Sequence, residues 1–154
     1  MKPTLIATSS IVAMGVAAAG LVGPARAADP NALGTYTVTV AEQLTGTWVA
    51  TPCVDDTEHC IHVTNSGIGK QQPWEADAFW SVGSWIMFVD EPDAIGCDDG
   101  TTHPGKMTYS WDAAKMAGYA SIFNNGICGG KPATLYAPFT LTKLGGAEVP
   151  PPAA

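Results

Sequence analysis

The stretch "WEADAFWSVGSWIMFVD" (residues 74–90) decides the fold. In its first arm Trp74, Ala76, Ala78 and Trp80 fall on one side of an extended chain, with Glu75, Asp77 and Phe79 on the other. That period of two reads as a half-buried strand, Phe79 being the one large apolar residue on the polar side. The second arm, Ser84–Asp90, is apolar and aromatic, and only Val82 and Gly83 separate the two. So short a connection ending in glycine predicts a tight hairpin.

Working outward, "TYTVTV" (35–40) places Tyr36, Val38 and Val40 on one face and threonines on the other. "GTWVAT" (46–51) follows a break at Glu42–Thr45, so these two runs predict a first hairpin. "CIHVTN" (60–65) is a third strand, ended by "SGIGKQQP" (66–73), whose glycines and Pro73 argue against a regular element. "DEPDAIGCDDGTTHPG" (90–105) reads as a long acidic connection with Ile95 and Cys97 as inward anchors. "KMTYSWD" (106–112) puts Met107, Tyr109 and Trp111 together, and "DAAKM" (112–116) turns the chain into "AGYASIF" (117–123). In "LYAPFTLTKL" (135–144) Leu135, Ala137, Phe139 and Leu141 alternate with Tyr136, Pro138, Thr140 and Thr142, and Pro138, lacking an N–H, predicts an edge or a bulge. The expectation is an all-β domain of about eight short strands, an antiparallel β-barrel or β-sandwich with no crossover helices. A barrel of that size is just wide enough to be filled by side chains or to hold one small ligand.

The chain opens "MKPTLIATSSIVAMGVAAAGLVGPARAADP", with Lys2, an apolar run from Ile11 to Val22, and the small triplet Ala25-Arg26-Ala27. This is the layout of a secretory signal peptide (1–27) cleaved after Ala27. The run is interrupted by Gly15, Gly20 and Gly23 and falls short of the roughly 20 residues of a membrane span. A single domain over 28–144 is expected, then a disordered Gly/Pro-rich tail over 145–154.

The full chain carries a formal charge of −7. Loss of Lys2 and Arg26 with the leader sets fourteen acidic residues against five basic ones, a charge near −9. Such a chain is repelled by phosphate backbones and anionic lipid surfaces, which excludes nucleic acid as an expected partner and argues against stable membrane insertion after cleavage. The even cysteine count in an exported chain predicts disulfides. Of the three possible pairings, nearness in sequence and strand-like flanks favour Cys53 with Cys60, which leaves Cys97 with Cys128.

The runs "GTYTV", "LTGTWVATPC", "IHV", "WEADAFWSVGSWIMFV", "DGTTHPGKMTYSWDAAKMAGY" and "PFTLTKL" make the chain resemble a group of small exported mycobacterial-type (actinobacterial) proteins of unknown function. The resemblance spans nearly the whole exported part; it implies secretion and β structure and brings no activity, cofactor or catalytic residue. "LTGTW" (44–48) also resembles the Gly-x-Trp opening of calycin-type β-barrels, a match of one short motif.

Candidate chemistry is sparse. "CVDDTEHCIH" (53–62) has metal-ligand residue types, but its cysteines have six residues between them where zinc pairs have two to four, and on a strand His62 and His59 face opposite ways. A disulfide-closed acidic turn is the expectation there. Asp90, Glu91, Asp93, Asp98 and Asp99 with His103 offer oxygen ligands for weak calcium binding, but lack EF-hand spacing and read as a solvated loop. "VGSW" (82–85) lacks a nucleophile elbow. Glu75 and Asp77 share a face, as a glycosidase pair would, and as any acidic exposed strand does. No catalytic residue, metal or cofactor is therefore expected. The aromatics Trp48, Trp74, Trp80, Trp85, Tyr109, Trp111 and Phe139 are the expected lining of an interior pocket. The sequence thus points to a secreted, non-catalytic binding or interaction domain whose partner is a small apolar ligand or an envelope or host protein. The alternative is a secreted hydrolase with a histidine–carboxylate site.

Overall fold

The computed structural model describes residues 32–55 and 58–145; the expected leader (1–27) and the tail from 146 onward lie outside the described residues. Eight strands follow in order: β1 (Gly34–Val40), β2 (Leu44–Pro52), β3 (Cys60–Ile68), β4 (Trp74–Ser81), β5 (Ser84–Gly96), β6 (Thr102–Asp112), β7 (Ala117–Asn124) and β8 (Ala133–Gly145). Each pairs antiparallel with the next, and β8 returns to β1, with Val38 opposite Leu141. The sheet is therefore a closed barrel, not a sandwich.

The hairpin between β4 and β5 forms as its sequence predicts, with Trp80 opposite Trp85 and Ser81 opposite Ser84. Val82 and Gly83 both have positive φ (44° and 84°), the backbone of a type I′ turn, whose twist matches that of the flanking strands. The β6–β7 turn is held by Asp112, whose Oδ1 accepts from the amides of Ala114 (2.9 Å) and Lys115 (2.8 Å). Those bonds hold its carboxyl below the usual range. Both expected disulfides are present: Cys53–Cys60 closes the β2–β3 connection, and Cys97–Cys128 ties the β5–β6 turn to the β7–β8 turn.

Two segments differ from expectation. Strand β3 runs on through Ser66 and Gly67 to Ile68. Gly67, at φ 105°, absorbs a bulge between the Gly46–Ile68 and Trp48–Asn65 pairs, and a Cβ on Gly46 would stand 2.6 Å from the Gly67 carbonyl oxygen. The acidic run from Asp90 is also strand: β5 continues to Gly96, β6 begins at Thr102, and only 97–101 is turn. Pro92 is accommodated by a register shift between Glu91 and Ile95, so a proline that argues for a loop sits in a bulge of a long hairpin. Pro138 lies one residue beyond the last β1–β8 pair, at the rim, where its carbonyl accepts from the amide of Ala41.

Strand parity places the core. Tyr36 and Val38, Trp48 and Ala50, Ile61 and Val63, Ala78, Trp85, Met87 and Val89, Tyr109 and Trp111, Ala120, Phe139 and Leu141 all turn inward and pack as one cluster. Gly118, next to the β6–β7 turn, allows a close approach to β6: a Cβ there would stand 2.6 Å from the Trp111 Cα and closer still to the Ser110 carbonyl oxygen. The ladder between β4 and β5 is short, running only from the hairpin to Ala78 and Met87. The other halves, Trp74–Asp77 and Phe88–Glu91, pair only with β3 and β6 respectively.

Candidate functional site

Of the aromatics expected to line a pocket, Trp48, Trp74, Tyr109, Trp111 and Phe139 form a cross-linked layer in the middle of the barrel. Trp48 is its hub, with ring centroids 5.7 Å from Trp74, 5.4 Å from Tyr109, 5.7 Å from Trp111 and 5.6 Å from Phe139. Trp80 and Trp85 stack edge-on at 5.2 Å at the end carrying the β4–β5 turn, where Trp80 is 41% exposed at the rim. The layer divides the interior. On the side of that turn is a cavity of about 30 Å³ among Tyr36, Trp48, Trp80, Trp85, Trp111 and Leu141, with room for a water or two but no ligand.

At the opposite end, where β1–β2, β3–β4 and β5–β6 turn, a cleft of about 300 Å³ opens to solvent. That is the lower end of the range for small-molecule sites. Its wall is apolar, from Val40, Leu44, Ile68, Met107, Ala120 and Ala137; its polar groups are Glu91, Asp93, Tyr109, Gln71, Thr102 and Lys70. Of the seven expected lining aromatics, only Tyr109 reaches this cleft.

Glu91 is the unusual member. It continues the inward parity of Trp85, Met87 and Val89 and is 2% exposed. Tyr109 Oη donates to its Oε1 at 3.0 Å, and Gln71 Nε2, from the β3–β4 connection, donates to Oε2. Burial pushes its carboxyl above the usual range; the bonds from Tyr109 and Gln71 work against this, and the neighbouring Asp93 charge adds to it. Burial, with Glu91 beside it, also pushes the Tyr109 phenol well up, so Tyr109 stays a donor. Asp93 Oδ1 is buried with no hydrogen-bond partner among the described residues. The cleft is thus an apolar cup with acceptors at its base, suited to a guest that brings N–H or O–H groups.

The remaining acidic residues are spread apart. Asp90 faces outward toward Lys106 Nζ at 3.4 Å, and Asp99 caps its own turn, accepting from the Thr101 amide (2.9 Å) and hydroxyl (2.6 Å). Among the described residues one group has metal-site spacing, Cys53, Cys60 and Asp77, and its cysteines are bonded to each other.

On the outer wall His62 Nδ1 lies 2.7 Å from Asp77 Oδ1, and its Nε2 lies 3.6 Å from Glu75 Oε2. Thr51, His62 and Asp77 stand in register across β2, β3 and β4, beside a depression of about 570 Å³ bordered by the Cys53–Cys60 bridge. Thr51 and Asp77 are exposed and His62 is half-buried, so solvent screens much of any electrostatic work they do. His59 is in a turn near Glu58, and His103 lies 3.5 Å from the Thr101 hydroxyl.

No family model, curated protein or solved structure matches the chain. Reading from the residues misses Glu91, Gln71 and Asn65 as interior polar groups. The signal for two of them is parity alone: Glu91 follows Val89, and Asn65 follows Ile61 and Val63.

Proposed function

We propose that this protein is a small-ligand-binding β-barrel that works outside the cytoplasm, exported by its leader peptide, with the mouth cleft as its site and Glu91 as the polar anchor. Two disulfides fit an oxidising compartment. The observation that carries the reading is a buried carboxyl, held by two side-chain donors, at the base of a cleft with an apolar wall and a few polar groups. An apolar core gains nothing from a buried carboxyl, and a binding site gains direction from one.

Native mass spectrometry of the protein secreted by its producing cell tests this. A bound small molecule is expected on the wild type and is expected to be lost from Ala137→Phe, whose ring fills the cleft. A mass equal to the bare polypeptide, or an adduct that Ala137→Phe retains, overturns the assignment.

The second reading, a secreted hydrolase, rests on the 2.7 Å contact between His62 and Asp77. It predicts ester or glycoside hydrolysis abolished by His62→Gln and untouched by Glu91→Gln. Equal turnover in wild type and His62→Gln removes it.

A further inference from the structure

Beneath the cleft lies a second group of polar atoms. Trp48, Asn65 and Trp74 face one another in a single row across β2, β3 and β4. Trp48 and Asn65 are each 1% exposed. Trp48 Nε1, Trp74 Nε1 and both polar atoms of the Asn65 amide are buried with no hydrogen-bond partner among the described residues. One stray buried polar atom is ordinary; four in one row call for a common explanation. Each unmet group costs about 1–3 kcal/mol, so a row kept only for packing would be better served by leucine or phenylalanine.

The row is also polarised. Two indole N–H groups and an amide NH₂ supply donors, against the single acceptor Oδ1. The cleft above has the opposite polarity, with Glu91 and the unpartnered Asp93 Oδ1 as acceptors. The two layers are one ring apart. Tyr109, whose hydroxyl meets Glu91, packs its ring 5.4 Å from Trp48 and 5.5 Å from Trp74, and Ile68 of the cleft wall is three residues along β3 from Asn65. Access is available at the side: Trp74 is half-buried and belongs to the half of β4 that has no β5 partner.

We infer that the Trp48–Asn65–Trp74 row is the inner subsite of the cleft and that the ligand is a small, uncharged, amide-like molecule. Its carbonyl oxygen takes the indole and amide N–H groups of the row, and its own N–H points outward to Glu91 and Asp93. Trp74 is the side chain that turns to admit it. An anionic guest is disfavoured, because the two carboxyl groups of Glu91 and Asp93 outweigh the single cation Lys70 in the cleft lining. The inference rests on the mouth cleft being the binding site.

The test titrates the mature chain with acetamide, N,N-dimethylacetamide and methylammonium, followed by the side-chain N–H signals of Trp48, Trp74, Asn65 and Gln71 in two-dimensional nuclear magnetic resonance. Acetamide is expected to shift the signals of Trp48, Trp74 and Asn65 saturably. Dimethylacetamide, an acceptor only, is expected to shift the same three with a several-fold weaker midpoint. Methylammonium, a donor only, is expected to move Gln71 and leave the row still. Asn65→Leu is expected to lose the acetamide response while unfolding at a higher temperature. Trp74→Phe, which keeps the ring and removes the N–H, is expected to weaken acetamide binding without loss of fold. If acetamide moves Gln71 but not the row, the inner subsite is wrong and the cleft reading stands. If it moves neither, both fail. If the row keeps contacts to long-lived water at saturating acetamide, it is a hydration site and the inference is overturned.

Discussion

Tyr109 and Glu91 come from neighbouring strands and meet at 3.0 Å inside the barrel, the phenol donating to a carboxyl with 2% exposure. A carboxyl whose folded-state pKa is raised keeps its proton at pH values where the unfolded chain has lost it. Its ionisation therefore adds no penalty below the unfolded pKa of about 4.3, and an increasing one as pH rises from there through the folded value. Glu91→Gln cannot ionise, and its amide oxygen still accepts from Tyr109. The stability difference between Glu91→Gln and wild type is expected to grow in favour of the variant across that window, then level off. Urea midpoints at a series of pH values check this; a difference that is flat, or that widens toward acid, contradicts it.

Val82 stands at φ 44° in the β4–β5 turn and is almost fully exposed, so its branched side chain has strain and no packing to offset it. Asparagine tolerates that backbone, and Asn-Gly is the preferred type I′ pair. Val82→Asn is expected to raise stability by about 1 kcal/mol. Thermal unfolding measures it, and a lowered midpoint would mean that the turn has a different backbone.

At the other extreme, Gly118 has no room for even a methyl group. Gly118→Ala drives a carbon into the backbone at Ser110 and Trp111, across the strand pair that carries Tyr109. A loss of about 3 kcal/mol is expected, the upper end for an overpacked core. Denaturant titration with near-ultraviolet circular dichroism reports both the loss and the disturbed tryptophan layer; unchanged stability would contradict the close approach.

The two bridges are expected to contribute unequally. Cys97–Cys128 spans 31 residues and Cys53–Cys60 spans 7. Loop-closure entropy gives about 3.5 kcal/mol for the first and about 2.5 kcal/mol for the second. Paired Cys→Ser variants, compared by urea midpoint, should rank in that order; the reverse order would show that the unfolded chain is already constrained near Cys97.

Much of this fold is legible in local sequence because β structure writes itself in period two. The arms around Val82-Gly83, the alternation of Met107, Tyr109 and Trp111, and the spacing of Cys53 and Cys60 all depend on neighbours in the chain. Closure does not. The choice between barrel and sandwich rests on Val38 meeting Leu141, a contact that no local pattern encodes. The cleft was hidden for a different reason. Asp90–Asp93 has the composition of a solvated loop, and Pro92 adds to that impression, yet the β5–β6 pairing runs unbroken from Ser84 to Glu91, the last pair before the bulge, and delivers Glu91 to the interior. Most of the aromatics were legible as inward-facing, but which rings meet was not, because that depends on the stagger of all eight strands.

A hoop has no free end from which to fray, so it opens at its clasp. Here the clasp is the brief run of pairs from Ala78–Met87 to Ser81–Ser84. The covalent ties reinforce other parts of the hoop, one at the β2–β3 connection and one between the β5–β6 and β7–β8 turns. If the cleft is the binding site as proposed, opening at the clasp widens the gap already left between Trp74–Asp77 and Phe88–Glu91 while the rest of the ring holds, and a guest can enter without the barrel unfolding.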